Sequence, residues 1–382
     1  MISLTRQDIV QTAKYLVVKV GTNVLTTRDG LLNRERIHGL INQICAIRER
    51  GVNVVLVSSG AVGAGMGRLG LDARPKFKPE LQAVAAIGQS KLIQNYEEEL
   101  AGHGVLAAQL LLTAGDLANR TRYLNVSNTF YSILKYGALP IVNENDAVSS
   151  AELSLTFGDN DRLASLVANL FPESLLILLT DVDGLYDGDP ALPESRLVHS
   201  VDRWTPDLME MVAEKKSGRS KGGMSSKLKA AKLVTSSGGA MIIANGDDPD
   251  VLTKIYSCEE VGTLFYPSGV MSARKRWMHN AKPCGTIVVD AGAAAAIENK
   301  GRSLLPIGAI RALGNFRKGD VVEIVDMENR VVAHGLTNYA SEDAQKICGK
   351  RFDEIAATLQ NADSIYEEIV HRNNIQLAED PN

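Results

Sequence analysis

Apolar positions along this chain follow two alternating rhythms, short unbroken runs and longer stretches with helical spacing. Tyr15-Leu16-Val17-Val18 is a run of the first kind and reads as a buried strand. Ile37, Leu40, Ile41, Ile44 and Ile47 then recur at helical spacing, with Asn33 as N-cap and Gly51 as the stop. The alternation continues. Residues 52–57, 105–112, 139–143, 174–179 and 240–244 read as strands, while 79–100, 125–136, a segment after Asn160 and 224–236 read as helices. Apolar strands separated by helices require crossover connections, hence a mainly parallel sheet covered on both faces. The expected fold is α/β, a three-layer αβα sandwich in which several polar or Gly-rich turns gather at one sheet edge.

The rhythm changes after about Tyr256. Val261 to Pro283, with Pro267-Ser268-Gly269 and the basic Arg274-Lys275-Arg276-Trp277, reads as a linker. Beyond it, 285–290, 320–326 and 331–336 read as short strands, with Met327-Glu328-Asn329-Arg330 as a hairpin turn. The tail after Leu359 is polar with some helical periodicity. These shifts divide the chain into an α/β domain over 1–265, a linker over 266–281, a small mostly β module over 282–359 and a tail over 360–382. A length of 382 residues supports two cores.

Composition narrows the classes of function. A net charge of −4 gives no general attraction to nucleic acid or anionic membrane. Cys45, Cys258, Cys284 and Cys348 are widely separated and form no C-x-x-C pair, which argues against a disulfide framework or a zinc site. No leader-like start and no spanning apolar run is present, so a soluble, cytoplasmic protein with no membrane partner is expected. The six histidines show no metal spacing.

The chemistry concentrates at strand and helix ends. Lys19-Val20-Gly21-Thr22 closes the first strand, and the carboxyl ends of strands are where open α/β sheets bind ligands. Neither a Walker loop nor G-x-G-x-x-G is present, which speaks against the ordinary nucleotide folds and a dinucleotide dehydrogenase. Ser58-Ser59-Gly60 closes another strand, and Val142-Asn143-Glu144-Asn145-Asp146 a third. Gly158-Asp159-Asn160-Asp161-Arg162 opens a helix, as does Lys221-Gly222-Gly223-Met224-Ser225-Ser226-Lys227, whose free N–H groups suit phosphate. Singly these are an N-cap, a surface turn and a flexible loop. Together, lysines at two element ends with acids between them suit a kinase without a Walker loop.

In their order, Lys-x-Gly-Thr, Val-Ser-Ser-Gly-Ala, Asn-Glu-Asn-Asp, Gly-Asp-Asn-Asp, Leu-Leu-Thr-Asp-Val-Asp-Gly-Leu-Tyr and Gly-Gly-Met-Ser-Ser-Lys resemble the amino acid kinase family. The resemblance spans residues 15 to about 265, and residues 282–359 resemble a PUA domain. Within the family the chain is similar to the kinases of free L-glutamate. That implies ATP-dependent phosphorylation of the side-chain carboxylate to L-glutamyl 5-phosphate, the first step of proline biosynthesis, with proline as inhibitor. Mg²⁺ would come with ATP and take few protein ligands, so no metal-ligating residue is assigned. A homo-oligomer, dimer or tetramer, is implied, and coupling to glutamyl phosphate reductase is a plausible consequence of a labile product.

By the family pattern, Lys19 and Lys227 contact the transferring phosphoryl group, and Asp159 or Asp161 holds those lysines. Ser59, Gly60, Asp146 and Asn160 would grip glutamate, Asp146 taking the α-ammonium. Lys19, Gly21, Thr180, Asp181 and the run Lys221, Gly222, Gly223, Met224, Ser225, Ser226 and Lys227 would meet ATP. Gly21, Gly60 and Gly223 would let backbone N–H groups approach phosphate or substrate. Aspartate, N-acetylglutamate and carbamate are alternative acceptors, but an acid aimed at the α-amino group would be wasted on an acetylated amine. An RNA partner for the PUA-like module is disfavoured, because residues 281–360 carry ten Lys plus Arg against ten Asp plus Glu.

Overall fold

The computed structural model describes residues 4–27, 30–148, 160–206, 208, 223–268, 277–278, 281–359 and 365–378. They group into two compact units, one built on residues 4–117 and 121–268 and the other on 281–378. Ten strands belong to the first: β1 Tyr15–Val20, β2 Asn53–Val57, β3 Ala107–Leu112, β4 Leu139–Glu144, β5 Leu175–Thr180, β6 Leu185–Tyr186, β7 Leu197–Val198, β8 Ser200–Val201, β9 Ala240–Asn245 and β10 Thr263–Phe265. Eight of them form one sheet in the order β3-β4-β2-β1-β5-β9-β10-β8, and β6 pairs with β7 separately. Every pairing in the large sheet is parallel except β9 with β10.

Both faces of this sheet are covered, as apolar runs require. On one face Leu16, Val18 and Val20 of β1 share a core with Ile37, Ile41 and Ile44 of the helix Arg34–Glu49. That helix starts where expected, with the Asn33 side chain accepting from the Arg36 N–H at 3.2 Å. Val17 and Lys19 alternate onto the opposite face. There the helix Asn160–Ala168 packs on β1, and the helix Met224–Ser236 packs beside it and on β9. Lys19 is thereby directed into the buried layer between the sheet and these helices.

β1 lies between β2 and β5, with later strands added outward on either side. This is the switch point of an open parallel sheet, and the crevice there forms at the carboxyl ends of the strands. Residues 61–65, which with Ser58-Ser59-Gly60 read from the sequence as one small-residue turn after a strand, instead open the helix Ala61–Leu69, which the left-handed Gly60 (φ 93°) caps. Its glycines serve close packing: a Cβ on Gly65 would stand 1.9 Å from the Val84 carbonyl oxygen of the helix Lys78–Ala101. Thr263–Phe265 lies inside the stretch 261–283 read as a linker, yet it pairs antiparallel with β9 and all three of its residues are buried.

The second unit is a five-stranded sheet in the order β12-β11-β13-β14-β15, with β11 Gly285–Val289, β12 Ala309–Gly314, β13 Val321–Val325, β14 Val331–Thr337 and β15 Val370–Leu377. The turn between β13 and β14 has Asn329 at φ 63°, a conformation asparagine tolerates. The tail read as helical is, over β15, an edge strand antiparallel to β14. Val370 and Ile375 anchor it in the core formed by Ile287, Val322 and Ile324. Its polar positions face outward, which hides the strand pattern in the sequence.

Candidate active site

Lys19 reaches the site from the carboxyl end of β1, and its side chain is buried. Its Nζ lies 2.5 Å from Asp161 Oδ1. Lys227, in the first turn of the helix Met224–Ser236, places its Nζ 3.2 Å from Asp161 Oδ2. One carboxylate thus bridges two ammonium groups, with one oxygen for each. Burial alone would raise the Asp161 carboxyl, but the two lysines overcome it and hold it below the ordinary carboxylate range. The three charges sum to +1 in a buried layer, a standing attraction for an anion.

Beside this bridge is a small pocket lined by Thr22, Ser59, Gly60, Asn143, Asp146 and Asn160, with Arg74 and Glu144 at its rim. Asn160 precedes Asp161 on the same helix and is nearly fully buried. Its Nδ2 lies 2.8 Å from the Ser58 carbonyl, 3.1 Å from Ser59 Oγ and 3.1 Å from Asn143 Oδ1. Three acceptors around one amide nitrogen fix its orientation, and its Oδ1 has no partner among the described residues. Asp146 is half-buried, and burial first, then Glu144, pushes its carboxyl up to about 6 against a pull from Arg74. An anionic Asp146 would gain strongly from a cation.

Asp181 lies at the end of β5. Burial would raise its carboxyl, but hydrogen bonds from Asn23 Nδ2 at 2.9 Å and Thr180 Oγ1 at 3.1 Å, with a smaller pull from Lys227, lower it. Ser226 Oγ lies 3.1 Å from Asp161 Oδ2, so this first-turn residue touches the bridging acid. Gly223 caps the same helix, and among the described residues nothing stands within 4 Å of where its Cβ would be. Met224 and Ser225 follow it in the same turn.

Gly21 differs from expectation. Its N–H donates to the Leu179 carbonyl at 3.1 Å and is not offered to a ligand. A Cβ there would stand 3.4 Å from the Leu179 carbonyl oxygen and 3.8 Å from Lys19 Nζ, both ordinary contact distances. Asp159, Lys221 and Gly222 fall outside the described residues. The structure also brings in residues not singled out before: Asn143 and Glu144, within a segment already flagged, Asn23, next to a flagged turn, and Arg74, which carries no local signal.

A buried lysine–aspartate–lysine bridge at the switch point of an open parallel sheet places fixed positive charge where a phosphoryl group can be held. The profile of the amino acid kinase family matches residues 14–245 and that of the PUA domain residues 285–359. The chain belongs to the amino acid kinase family and is a kinase. It is similar over nearly its whole length to proteins named glutamate 5-kinase. That of Rhodopirellula baltica is 46% identical over 97% of this chain and 96% of its own. Those of Thermoanaerobacter pseudethanolicus and Ralstonia pickettii are 45% and 46% identical over 95% and 97% of this chain, and 98% and 99% of their own lengths.

Proposed function

We propose that this kinase transfers the γ-phosphoryl group of ATP to the side-chain carboxylate of L-glutamate, giving L-glutamyl 5-phosphate and ADP. The observation that carries the reading is the buried Lys19–Asp161–Lys227 bridge beside a pocket lined by both Asp146 and Asn160, whose Oδ1 has no partner among the described residues. The names of the full-length relatives support the choice of glutamate.

The acceptor carboxylate has an ordinary pKa of about 4.3 and is ionised at neutral pH, so no base is needed. Its oxygen forms the bond to phosphorus as the bond to the ADP oxygen breaks, and the electron pair leaves on ADP. No proton moves. The obstacle is repulsion between two anions, and a lysine at about 4 Å offsets on the order of 4 kcal/mol of it at an effective dielectric of 20. Lys19 and Lys227, held by Asp161, supply that charge on the phosphoryl path, while Asp146 takes the α-ammonium and Ser59 and Asn160 the rest of the amino acid. Gly223 to Lys227, with Thr180 and Asp181, would meet the nucleotide. Mg²⁺ would come with the ATP phosphates and would supply further positive charge to the phosphoryl oxygens; Asp161, which pairs with both lysines, would serve to hold them.

Proline would compete at the glutamate pocket as a feedback inhibitor, its ring nitrogen replacing the α-ammonium. The test is ADP release, or hydroxamate formation from the acyl phosphate, with and without L-glutamate and proline. A glutamate-dependent signal that proline suppresses is expected. No response to glutamate, or an equal response to aspartate or N-acetylglutamate, contradicts the assignment.

A further inference from the structure

Besides Thr22, Arg74 and Asn160, the pocket is walled by two stretches of the chain, Ser59 to Val62 at the start of the helix Ala61–Leu69 and Asn143 to Asp146 at the end of β4. The helix Lys78–Ala101 touches both stretches. Gln82, Gln89 and Tyr96 stand seven residues apart along it, two turns each, and so share one face. Gln82 Nε2 donates to the Asp146 carbonyl at 2.7 Å. Gln89 Oε1 accepts from Asn143 Nδ2 at 3.4 Å. The Tyr96 hydroxyl lies 2.8 Å from Ser58 Oγ, which in turn is 3.1 Å from the Ser59 carbonyl. Between these residues, a Cβ on Gly88 would stand 1.9 Å from the Ala61 carbonyl oxygen, so the two backbones are in contact where the pocket's own helix begins.

Core packing does not require this stripe to be polar. Leu81, Val84, Ala85 and Leu92 surround it and are buried. Tyr96 is fully buried, and a phenylalanine would fill the same volume without a hydroxyl that must find a partner. That hydroxyl is engaged by the residue next to Ser59, and Ser58 itself also accepts from Asn160 through its carbonyl.

We propose that Gln82, Gln89 and Tyr96 are positioning residues, a polar stripe that sets the geometry of the acceptor pocket, with Tyr96 acting through Ser58 on Ser59 and Asn160. The proposal rests on the reading of this pocket as the glutamate site. A positioning role predicts an effect on one substrate only.

Steady-state kinetics on the full chain carrying Tyr96→Phe test it. The KM for glutamate should rise about three- to tenfold, the span of one net hydrogen bond. The KM for ATP and kcat should stay within about twofold of the parent. Gln82→Met, which keeps the side-chain length and removes the donor to Asp146, should give the same split and decides the matter where Tyr96→Phe does not fold. An unchanged glutamate KM in the folded variants, or a proportional rise of both KM values, overturns the proposal. A parent chain that forms no ADP in response to glutamate overturns the functional reading first, so the two failures are told apart by the unsubstituted protein.

Discussion

Asp146 offers the most quantitative test of the acceptor pocket. Its carboxyl is pushed up to about 6 by burial and by Glu144, and only the ionised form attracts an α-ammonium. The apparent KM for glutamate should therefore scale as one plus the ratio of protonated to ionised Asp146. With a carboxyl at about 6, that factor grows about fourfold between pH 7.5 and pH 5.5. Over this window the substrate's own carboxylate, at about 4.3, stays ionised and contributes little. Initial rates at saturating ATP across the window give the profile directly. Asp146→Asn should show a higher KM that is flat with pH. A flat profile for the unsubstituted chain, or a slope that survives in Asp146→Asn, refutes the reasoning.

The same shift makes a statement about stability, with its own sign. A carboxyl raised in the folded state holds its proton more tightly there than in the unfolded chain. The fold therefore loses stability as pH rises from the ordinary value of 3.8, and the loss is complete above about 6. Asp146→Asn removes that buried charge. It should melt above the unsubstituted protein at pH 7.5, with the gap narrowing toward pH 4. A residue kept at a cost to the fold is one that a ligand is expected to neutralise.

Two further outcomes follow from the geometry. Lys227→Ala should lower kcat by about 10²- to 10³-fold, the range for losing one donor to developing charge, with little change in the KM for glutamate; an unchanged turnover number would sink the phosphoryl role. Truncation after Leu359 removes β15 and leaves β14 as an unpaired edge, so hydrogen exchange across Val331–Thr337 should accelerate, and unchanged protection there would contradict the pairing.

Elements with strong local rhythm were legible in the sequence. β1, the helix Arg34–Glu49 with its Asn33 cap, and the helix Met224–Ser236 all fall where spacing predicts them. Ala61–Leu69 was not legible, because three glycines within nine residues carry no apolar period and lower helix propensity. Those glycines make sense only in the packed fold, where Gly65 lies against Val84 of the helix Lys78–Ala101, Gly63 against the Gly30 carbonyl and Gly67 against Leu31. β15 was hidden for a different reason. An edge strand with few inward residues has an apolar pattern too sparse to separate from a polar tail. Arg74 was invisible because its approach to the pocket comes from a loop, and loops carry no periodic signal.

The parallel α/β architecture, the separate β module and the short segments that carry charge are written in local spacing, since each depends on which residues alternate or recur within a few turns. How those charges meet is set by the packing of the sheet and its helices. The period of two along β1 sends Lys19 to the face of Val17, and the pairing of β1 with β5 and β5 with β9 brings the helices Asn160–Ala168 and Met224–Ser236 together on that face. Asp161 then lies between Lys19 and Lys227, residues 208 positions apart in the chain. Such a meeting depends on strand register and helix packing over long separations, which local spacing does not encode.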